Sequence, residues 1–178
     1  ICQTGAYTIV GASITNAGGG TWSSSGTGTF TPSAVFGVAT TYTPSAADIL
    51  AGTVTLTLTS TDPAGECGVK NDNMVLTITP SPVVNVAGVV DTEICSDSPN
   101  YPIAGVVASN YSSLLWSTGG DGTFINNTVL NPTYVPGSAD RLAASVTLTL
   151  TASGNGSCGP VPANLVVTTK NLPTFTCP

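Results

Sequence analysis

Hydrophobic and polar side chains alternate strictly in two stretches of the chain, residues 53–59 and residues 145–151. Their aliphatic members are Val54, Leu56 and Leu58 in the first stretch and Val146, Leu148 and Leu150 in the second. A period of two residues is typical of a β-strand with one face in a hydrophobic core and the other in water. We therefore predict a central strand at each place, with its aliphatic side chains in a core.

The residues around these two strands recur as well. Trp22 stands eight residues before Phe30, and Trp116 stands eight residues before Phe124. The other matched pairs are Tyr42 with Tyr134, Asp48 with Asp140, Cys2 with Cys95 and Cys67 with Cys158. A unit of roughly 90 residues is therefore written twice, which is long enough for one domain per repeat. We expect Trp22 and Trp116 in the two cores, because a tryptophan between β-prone residues of a sandwich repeat is usually buried.

Each repeat contains about seven short β-prone segments, with turn signals roughly every 8 to 12 residues. Residues 7–14 form one such segment of the first repeat. This pattern is typical of an antiparallel β-sandwich. We predict an all-β fold of two tandem immunoglobulin-like antiparallel β-sandwich domains, residues 1–80 and 81–170. Residues 171–178 are expected to begin a following repeat or to form a linker strand.

The ends of the chain are out of phase with the repeat. The β-prone residues 82–89 precede Cys95 of the second repeat, whereas the first repeat lacks a counterpart for them. Conversely, residues 170–177 (K-N-L-P-T-F-T-C) resemble the opening of a third repeat. We infer that the sequence is a window from a longer array, or that neighbouring copies share strands at their ends. Either arrangement leaves an isolated chain with an incomplete sheet edge.

Charged side chains are scarce and mostly acidic. They make up 7% of the chain, with a net charge of -6, and the basic residues are Lys70, Arg141 and Lys170. Binding to phosphates needs clustered cations, so neither nucleic acid nor an anionic lipid surface is an expected partner. No run approaches the about 18 consecutive apolar residues of a membrane-spanning helix, so we expect no membrane insertion.

The five cysteines indicate an oxidising, extracellular compartment, because they recur at matched places in two small β-rich repeats. One pairing joins Cys2 to Cys67 and Cys95 to Cys158, giving equivalent structural disulfides and leaving Cys177 unpaired or bonded to another repeat. Each loop of about 65 residues would then stabilise its domain by roughly 4 kcal/mol. The alternative joins Cys67 to Cys95 and Cys158 to Cys177, and leaves Cys2 to a preceding repeat.

The side chains for catalysis are nearly missing. The sequence contains no histidine and only three lysines and arginines, so Ser-His-Asp and Cys-His mechanisms are excluded. Zinc is not expected either, since a paired C-x-x-C is also lacking. We therefore predict that the protein is not an enzyme and carries no cofactor.

Acidic residues suggest structural roles rather than a metal site. Asp91, Glu93 and Asp97 lie near the junction of the repeats, where calcium could bind, but no acids match them around Cys2 or Cys177. A repeating calcium site should repeat, so we expect no metal. Asp48 and Asp140 are expected to accept hydrogen bonds from backbone N–H groups at the start of a helical turn. Asp121 is expected in a turn.

Two ligand-binding alternatives stay open. Trp22 and Trp116 could stack on a glycan, and the rows of threonine could match an ice lattice. Burial of both tryptophans and cross-strand pairing of threonines explain the same features without a ligand. The alternative function is therefore a module that binds glycan or ice through its loops or its threonine-rich strand face.

Three strings of the second repeat carry a family resemblance. They are W-S-T-G-G-D-G-T-F at 116–124, L-N-P-T-Y-V-P-G-S-A-D at 130–140 and S-V-T-L-T-L-T-A-S-G-N-G-S-C at 145–158. With them the chain resembles, over nearly its whole length, the tandem repeats of giant secreted surface proteins of gliding and related Bacteroidetes bacteria. Those proteins resemble adhesins and are usually exported by the type IX secretion system. The resemblance implies an extracellular immunoglobulin-like array for adhesion, gliding motility or cell-surface structure, without catalytic residues.

Together these observations favour a non-enzymatic, extracellular structural or adhesive module on a bacterial cell surface. The module would be a segment of a stalk or filament, and its partners would be neighbouring repeats or identical copies. A sharper version of the hypothesis has copies polymerising end to end by sharing strands. Surface glycans are a further candidate partner.

Overall fold

The two alternating stretches form the central strands of two sheets. In the computed structural model, which describes residues 1–62 and 67–173, they are β5 (Thr53–Ser60) and β14 (Ser145–Ser153). Along both strands every second side chain is buried, as their period of two residues predicts. All eight predicted core side chains are buried: Trp22, Val54, Leu56, Leu58, Trp116, Val146, Leu148 and Leu150.

The chain divides into two units, Ile1–Ser81 with Gly156–Cys158 and Pro82–Asn155 with Gly159–Pro178. Besides β5, the first unit contains β1 (Tyr7–Thr8), β2 (Gly20–Ser24), β3 (Thr29–Thr31), β4 (Thr41–Thr43), α1 (Ala46–Ala51) and β6 (Asn71–Thr77). Besides β14, the second contains β7 (Val83–Asn85), β8 (Glu93–Cys95), β9 (Tyr101–Pro102), β10 (Val107–Ser109), β11 (Ser113–Thr118), β12 (Thr123–Ile125), β13 (Thr133–Val135), α2 (Ser138–Leu142) and β15 (Val161–Lys170).

In the first unit, two three-stranded antiparallel sheets contribute to one core. Their strand orders are β2-β5-β6 and β1-β4-β3. Trp22 of β2, Leu56 of β5 and Tyr42 of β4 belong to the same buried cluster, so the two sheets form a sandwich. Of the β-prone residues 7–14, only Tyr7–Thr8 form a strand.

The second unit has a larger set of sheets. A four-stranded sheet has the order β11-β14-β15-β8, a three-stranded sheet the order β12-β13-β9, and β10 pairs with β7. Within the four-stranded sheet β8 runs parallel to β15, with Cys95 beside Lys170. The first unit has the equivalent parallel bridge, between Cys2 and Thr79. These sheets confirm the predicted all-β fold of immunoglobulin-like antiparallel sandwiches.

Candidate functional site at an open sheet edge

The strand β7 fills a defined place in the second unit. It pairs antiparallel with β10, so that Val84 lies opposite Ala108 and Asn85 opposite Val107. It also lies close to β14 and β15. Val84 and Val86 are half-buried against the core, whereas the side chain of Asn85 is exposed. One face of β7 therefore completes the core of this unit.

The first unit has the same local backbone but no strand beside it. Residues 13–15 correspond to β10, and a glycine and an asparagine with positive φ flank both segments. These are Gly11 (76°) and Asn16 (59°) in the first unit and Gly105 (90°) and Asn110 (56°) in the second. Within the described part of the chain, residues 13–15 pair with no strand. This edge has the shape of a strand that lacks its neighbour.

A groove lies where the first unit lacks that neighbour. It has a volume of about 570 Å³ and runs between residues 13–17 and the β5–β6 hairpin. Its apolar lining comes from Ile14 and Leu58, and Cys67 lies at its wall. A second hollow of about 300 Å³ is lined by Trp22, Met74 and residues 9–13, which directly precede the segment at the groove.

The core of the first unit is less well covered on this side. Three equivalent pairs differ in relative exposure: Trp22 at 9% against Trp116 at 1%, Leu58 at 8% against Leu150 at 0%, and half-buried Met74 against Leu165 at 4%. Unpaired backbone groups beside an apolar groove form a template on which an extended peptide can add as a strand. The groove is therefore a candidate binding site for a β-strand.

The cysteines form one disulfide among the described residues. It joins Cys2 to Cys158, whose Cα atoms are 4.8 Å apart, and the Ser81 hydroxyl lies 3.2 Å from the sulfur of Cys2. Cys67 and Cys95 are exposed and unpaired within that part of the chain. Cys177, predicted to be unpaired or to bond another repeat, lies outside the described residues.

This disulfide corrects both pairings predicted from the sequence. Cys2 lies beside Thr79, past the end of β6, whereas Cys67 belongs to the loop at the other end of the β5–β6 hairpin. At about 3.3 Å per residue, a strand as long as β6 separates them by roughly 20 Å, beyond the reach of a disulfide. Cys95 and Cys158 lie at opposite ends of β15, so they are also too far apart to form a disulfide. Neither Cys67 nor Cys95 is in the pairing expected for it.

Asp48 holds a turn and a helix together in the first unit. Its carboxylate accepts hydrogen bonds from the backbone N–H of Gly28 (2.9 Å) and of Ser45 (2.9 Å) and from the Tyr42 hydroxyl (2.7 Å). Burial alone would raise the pKa of Asp48, but the hydrogen bonds from Ser45, Tyr42 and Thr27 outweigh it and lower the pKa to about 2. The expected structural role of Asp48 at the start of a helical turn agrees with these contacts.

The second unit builds the same corner with different donors. Asp140 accepts hydrogen bonds from the backbone N–H of Gly122 (2.8 Å) and from the Tyr134 hydroxyl, so its backbone donors lie in a turn rather than at the helix start. Burial and the bond to Asp140 raise the pKa of Tyr134 to about 12. Asp121 accepts bonds from the backbone N–H of Ala139 (3.0 Å), which lowers the pKa of Asp121. Its side chain therefore serves as a helix cap, beyond the turn role expected of it.

The acids near the junction take part in local contacts. Glu93 forms an ion pair with Lys170 at 3.0 Å, and Asp91 accepts a hydrogen bond from the backbone N–H of Glu93 at 3.2 Å. Residues 1–62 and 67–173 contain no group of three or more His, Cys, Asp or Glu side chains that could hold a metal ion. No helix in those ranges is long and apolar enough to cross a membrane.

Comparisons with known proteins give matches among solved structures. No protein-family model matches the sequence, and no curated protein matches it. Protocadherin gammaB7 EC3-6, from a cis-dimer structure, is 12% identical, with 97% of this chain and 45% of that chain covered and a TM-score of 0.44. Mouse clustered PcdhgC3 EC1-3 is 15% identical, with 97% of this chain and 64% of that chain covered and a TM-score of 0.47. Mouse cadherin-23 EC22-24 is 12% identical, with 86% of this chain and 54% of that chain covered and a TM-score of 0.46. The chain thus spans less than two thirds of each of these three chains.

Proposed function

We propose that the protein is an extracellular structural or adhesive repeat module whose copies join end to end by sharing a strand. The open groove of the first unit carries this proposal. In the second unit the corresponding place is filled by β7, which follows the first sequence repeat along the chain. An equivalent strand would fill the groove, and we propose that the C-terminal segment of a second copy supplies this strand.

The sequence of that segment supports the assignment. Residues 170–177 correspond to residues 79–86, with Lys170 in the place of Thr79 and Pro173 in that of Pro82. Phe175 then takes the position of Val84, which faces the core, and Thr176 that of Asn85, which faces solvent. The register of β7 on β10 would place Phe175 opposite Ile14 of the receiving copy. An apolar residue thus meets the apolar wall of the groove.

The setting of the proposal comes from the sequence. The resemblance to repeats of giant secreted Bacteroidetes surface proteins supports a stalk or filament segment on a bacterial cell surface. Gliding motility and type IX secretion belong to the same proposal. The scarcity of basic residues, with a net charge of -6, fits neighbouring copies as partners better than nucleic acid.

Light scattering and negative-stain electron microscopy of the purified 178-residue chain test this function. We expect concentration-dependent polymers from the unmodified chain. Phe175→Asp should abolish them, because a carboxylate would be buried without a partner in an apolar groove. Thr176→Asp is the matched control, since its equivalent Asn85 is exposed, and should keep the polymers.

A peptide assay identifies the occupant of the groove. A synthetic peptide of residues 170–178 should bind the monomeric Phe175→Asp chain in calorimetry, and a scrambled peptide should not. Absence of both polymers and peptide binding would overturn the proposal, because the groove would then belong to a strand from elsewhere. Equal polymerisation of the Phe175→Asp and Thr176→Asp chains would contradict it as well.

A further inference from the structure

The Cys2–Cys158 disulfide lies next to the residues that lead into β7. Cys2 lies beside Thr79 through a parallel bridge, and the chain continues from Thr79 through Ser81 into β7. Cys158 lies in the loop between β14 and β15, the hairpin next to which β7 lies. The Ser81 hydroxyl lies 3.2 Å from the Cys2 sulfur, so the disulfide lies just before the start of β7.

Both positions of this disulfide have equivalents, and these hold cysteines that are unpaired among the described residues. Cys95 lies beside Lys170, just as Cys2 lies beside Thr79, and the chain continues from Lys170 into the segment equivalent to β7. Cys67 lies in the β5–β6 loop, the equivalent of the loop that holds Cys158, and it lines the open groove. Both thiols are exposed. Two half-sites of the same linkage therefore stand at the two places where a strand would leave one copy and enter another.

We infer that Cys95 of one copy and Cys67 of the next form a disulfide that locks each junction. This inference rests on the proposed strand sharing, because insertion of residues 174–176 brings Lys170 and its neighbour Cys95 to the end of the groove where Cys67 lies. Each repeat carries one cysteine at either end of its long hairpin, so neither can reach the other within the repeat. The partner class of both thiols is thus another copy of this chain.

Formation of the bond is an oxidation, for which we assign a low-molecular-weight disulfide such as oxidised glutathione. The Cys95 thiolate attacks one sulfur of that reagent, forms a mixed disulfide and releases one small thiolate. The Cys67 thiolate of the next copy attacks the Cys95 sulfur and releases the second small thiolate. Two protein thiols lose two protons and two electrons, and the reagent ends as two thiols.

Non-reducing gel electrophoresis after assembly with oxidised glutathione tests the inference. The unmodified chain should give a ladder of covalent oligomers that collapses to the monomer on reduction. Cys67→Ser and Cys95→Ser should each lose the ladder alone. A mixture of these two variants should give a covalent dimer, since Cys95 of one variant meets Cys67 of the other. Cys177→Ser is the matched control and should keep the ladder.

Peptide mass spectrometry and microscopy separate the two proposals. A Cys95–Cys67 cross-linked peptide supports the inference. Covalent dimers of either single variant alone, or a cross-link through Cys177, would overturn it. Polymers that form without any covalent ladder would overturn the disulfide and leave strand sharing intact. Polymers of the Cys67→Ser, Cys95→Ser double variant that persist in the microscope would support strand sharing. If urea dissociates these polymers but not the oxidised polymers of the unmodified chain, the result would support the disulfide as well.

Discussion

In the second unit β7 lies beside β10 and close to the β14–β15 hairpin, whereas in the first unit the corresponding place is a groove of about 570 Å³ beside residues 13–15. The two units otherwise share their central strand, a buried tryptophan and a buried Tyr–Asp corner. The difference shows that the sequence repeat and the folded unit are offset. In the second unit, the strand β7 comes from the segment that follows the first repeat.

This offset explains why the two cores are unequally buried. The aliphatic residues Leu56 and Leu148, at the middle of β5 and β14, are both 0% exposed. Near the groove, by contrast, Trp22 is more exposed than its counterpart Trp116. The greater exposure of the first core is thus confined to the side that borders the groove. Differences between the two units are therefore expected on that side and not at the middle of β5 and β14.

The largest expected difference concerns backbone hydrogen exchange. In the monomeric Phe175→Asp chain, amides of residues 13–15 should exchange on the order of a thousandfold faster than the hydrogen-bonded amides of residues 107–109, a difference of about 4 kcal/mol. Among the residues that the structure describes, only the second set is paired, with β7. Exchange measured by NMR should also become slower at 13–15 when the peptide of residues 170–178 is added. Equal protection of the two segments in the monomer would show that the edge is closed.

The next difference concerns the two tryptophans. Trp116→Ala should lower the free energy of unfolding of the second unit by about 4 kcal/mol, through loss of apolar burial and creation of a cavity. Trp22→Ala should cost the first unit about 1 kcal/mol less, because its indole already borders the open hollow. The slowest-exchanging amides of β5 and β14 report the stability of each unit. Leu56→Ala and Leu148→Ala are the matched controls and should lose similar amounts, and equal losses at the two tryptophans would contradict the comparison.

Much of the fold followed from the sequence because it rests on local pattern. The alternation of Val54, Leu56 and Leu58 with threonines requires only a two-sided strand, and the structure buries these residues. The unmatched segment at residues 82–89 already indicated that a strand is displaced from its repeat. Ile14 at the groove and Met74 at the neighbouring hollow could not be found in this way, because their exposure depends on whether a strand from outside the repeat covers them.

The disulfide was missed for a geometric reason. Equivalent loops of similar length in the two repeats favoured Cys2 with Cys67, but the number of intervening residues says nothing about which end of a hairpin each cysteine occupies. Only the structure shows this placement: Cys2 lies beside Thr79, past the end of β6, and Cys67 precedes the start of β6. The helix cap of Asp121 was missed because the residue lies outside the helix and comes from the preceding loop.

The third prediction concerns acid stability of the first unit. The pKa of Asp48 falls to about 2 on folding, from 3.8, so its ionised form stabilises the folded state above pH 4. That contribution, about 2 kcal/mol, should be lost as the pH falls from about 4 to about 2. Tyr42→Phe removes one donor, should raise the pKa of Asp48 and should shift the loss to higher pH. Acid titration followed by exchange at β5 amides measures it, and an unchanged profile in Asp48→Asn would refute the assignment.

The smallest difference concerns how the two short helices begin. Ser45 caps α1 by accepting the backbone N–H of Asp48 at 3.2 Å, so Ser45→Ala should destabilise the first unit by about 1 kcal/mol. In the second unit Gly137 holds that position and Asp121 supplies the cap instead. A Cβ at Gly137 would lie 2.1 Å from the Asp121 carboxylate, so Gly137→Ser should destabilise rather than add a cap. Exchange at β5 and β14 amides compares the two variants, and a gain of stability in Gly137→Ser would mean that the two caps are interchangeable.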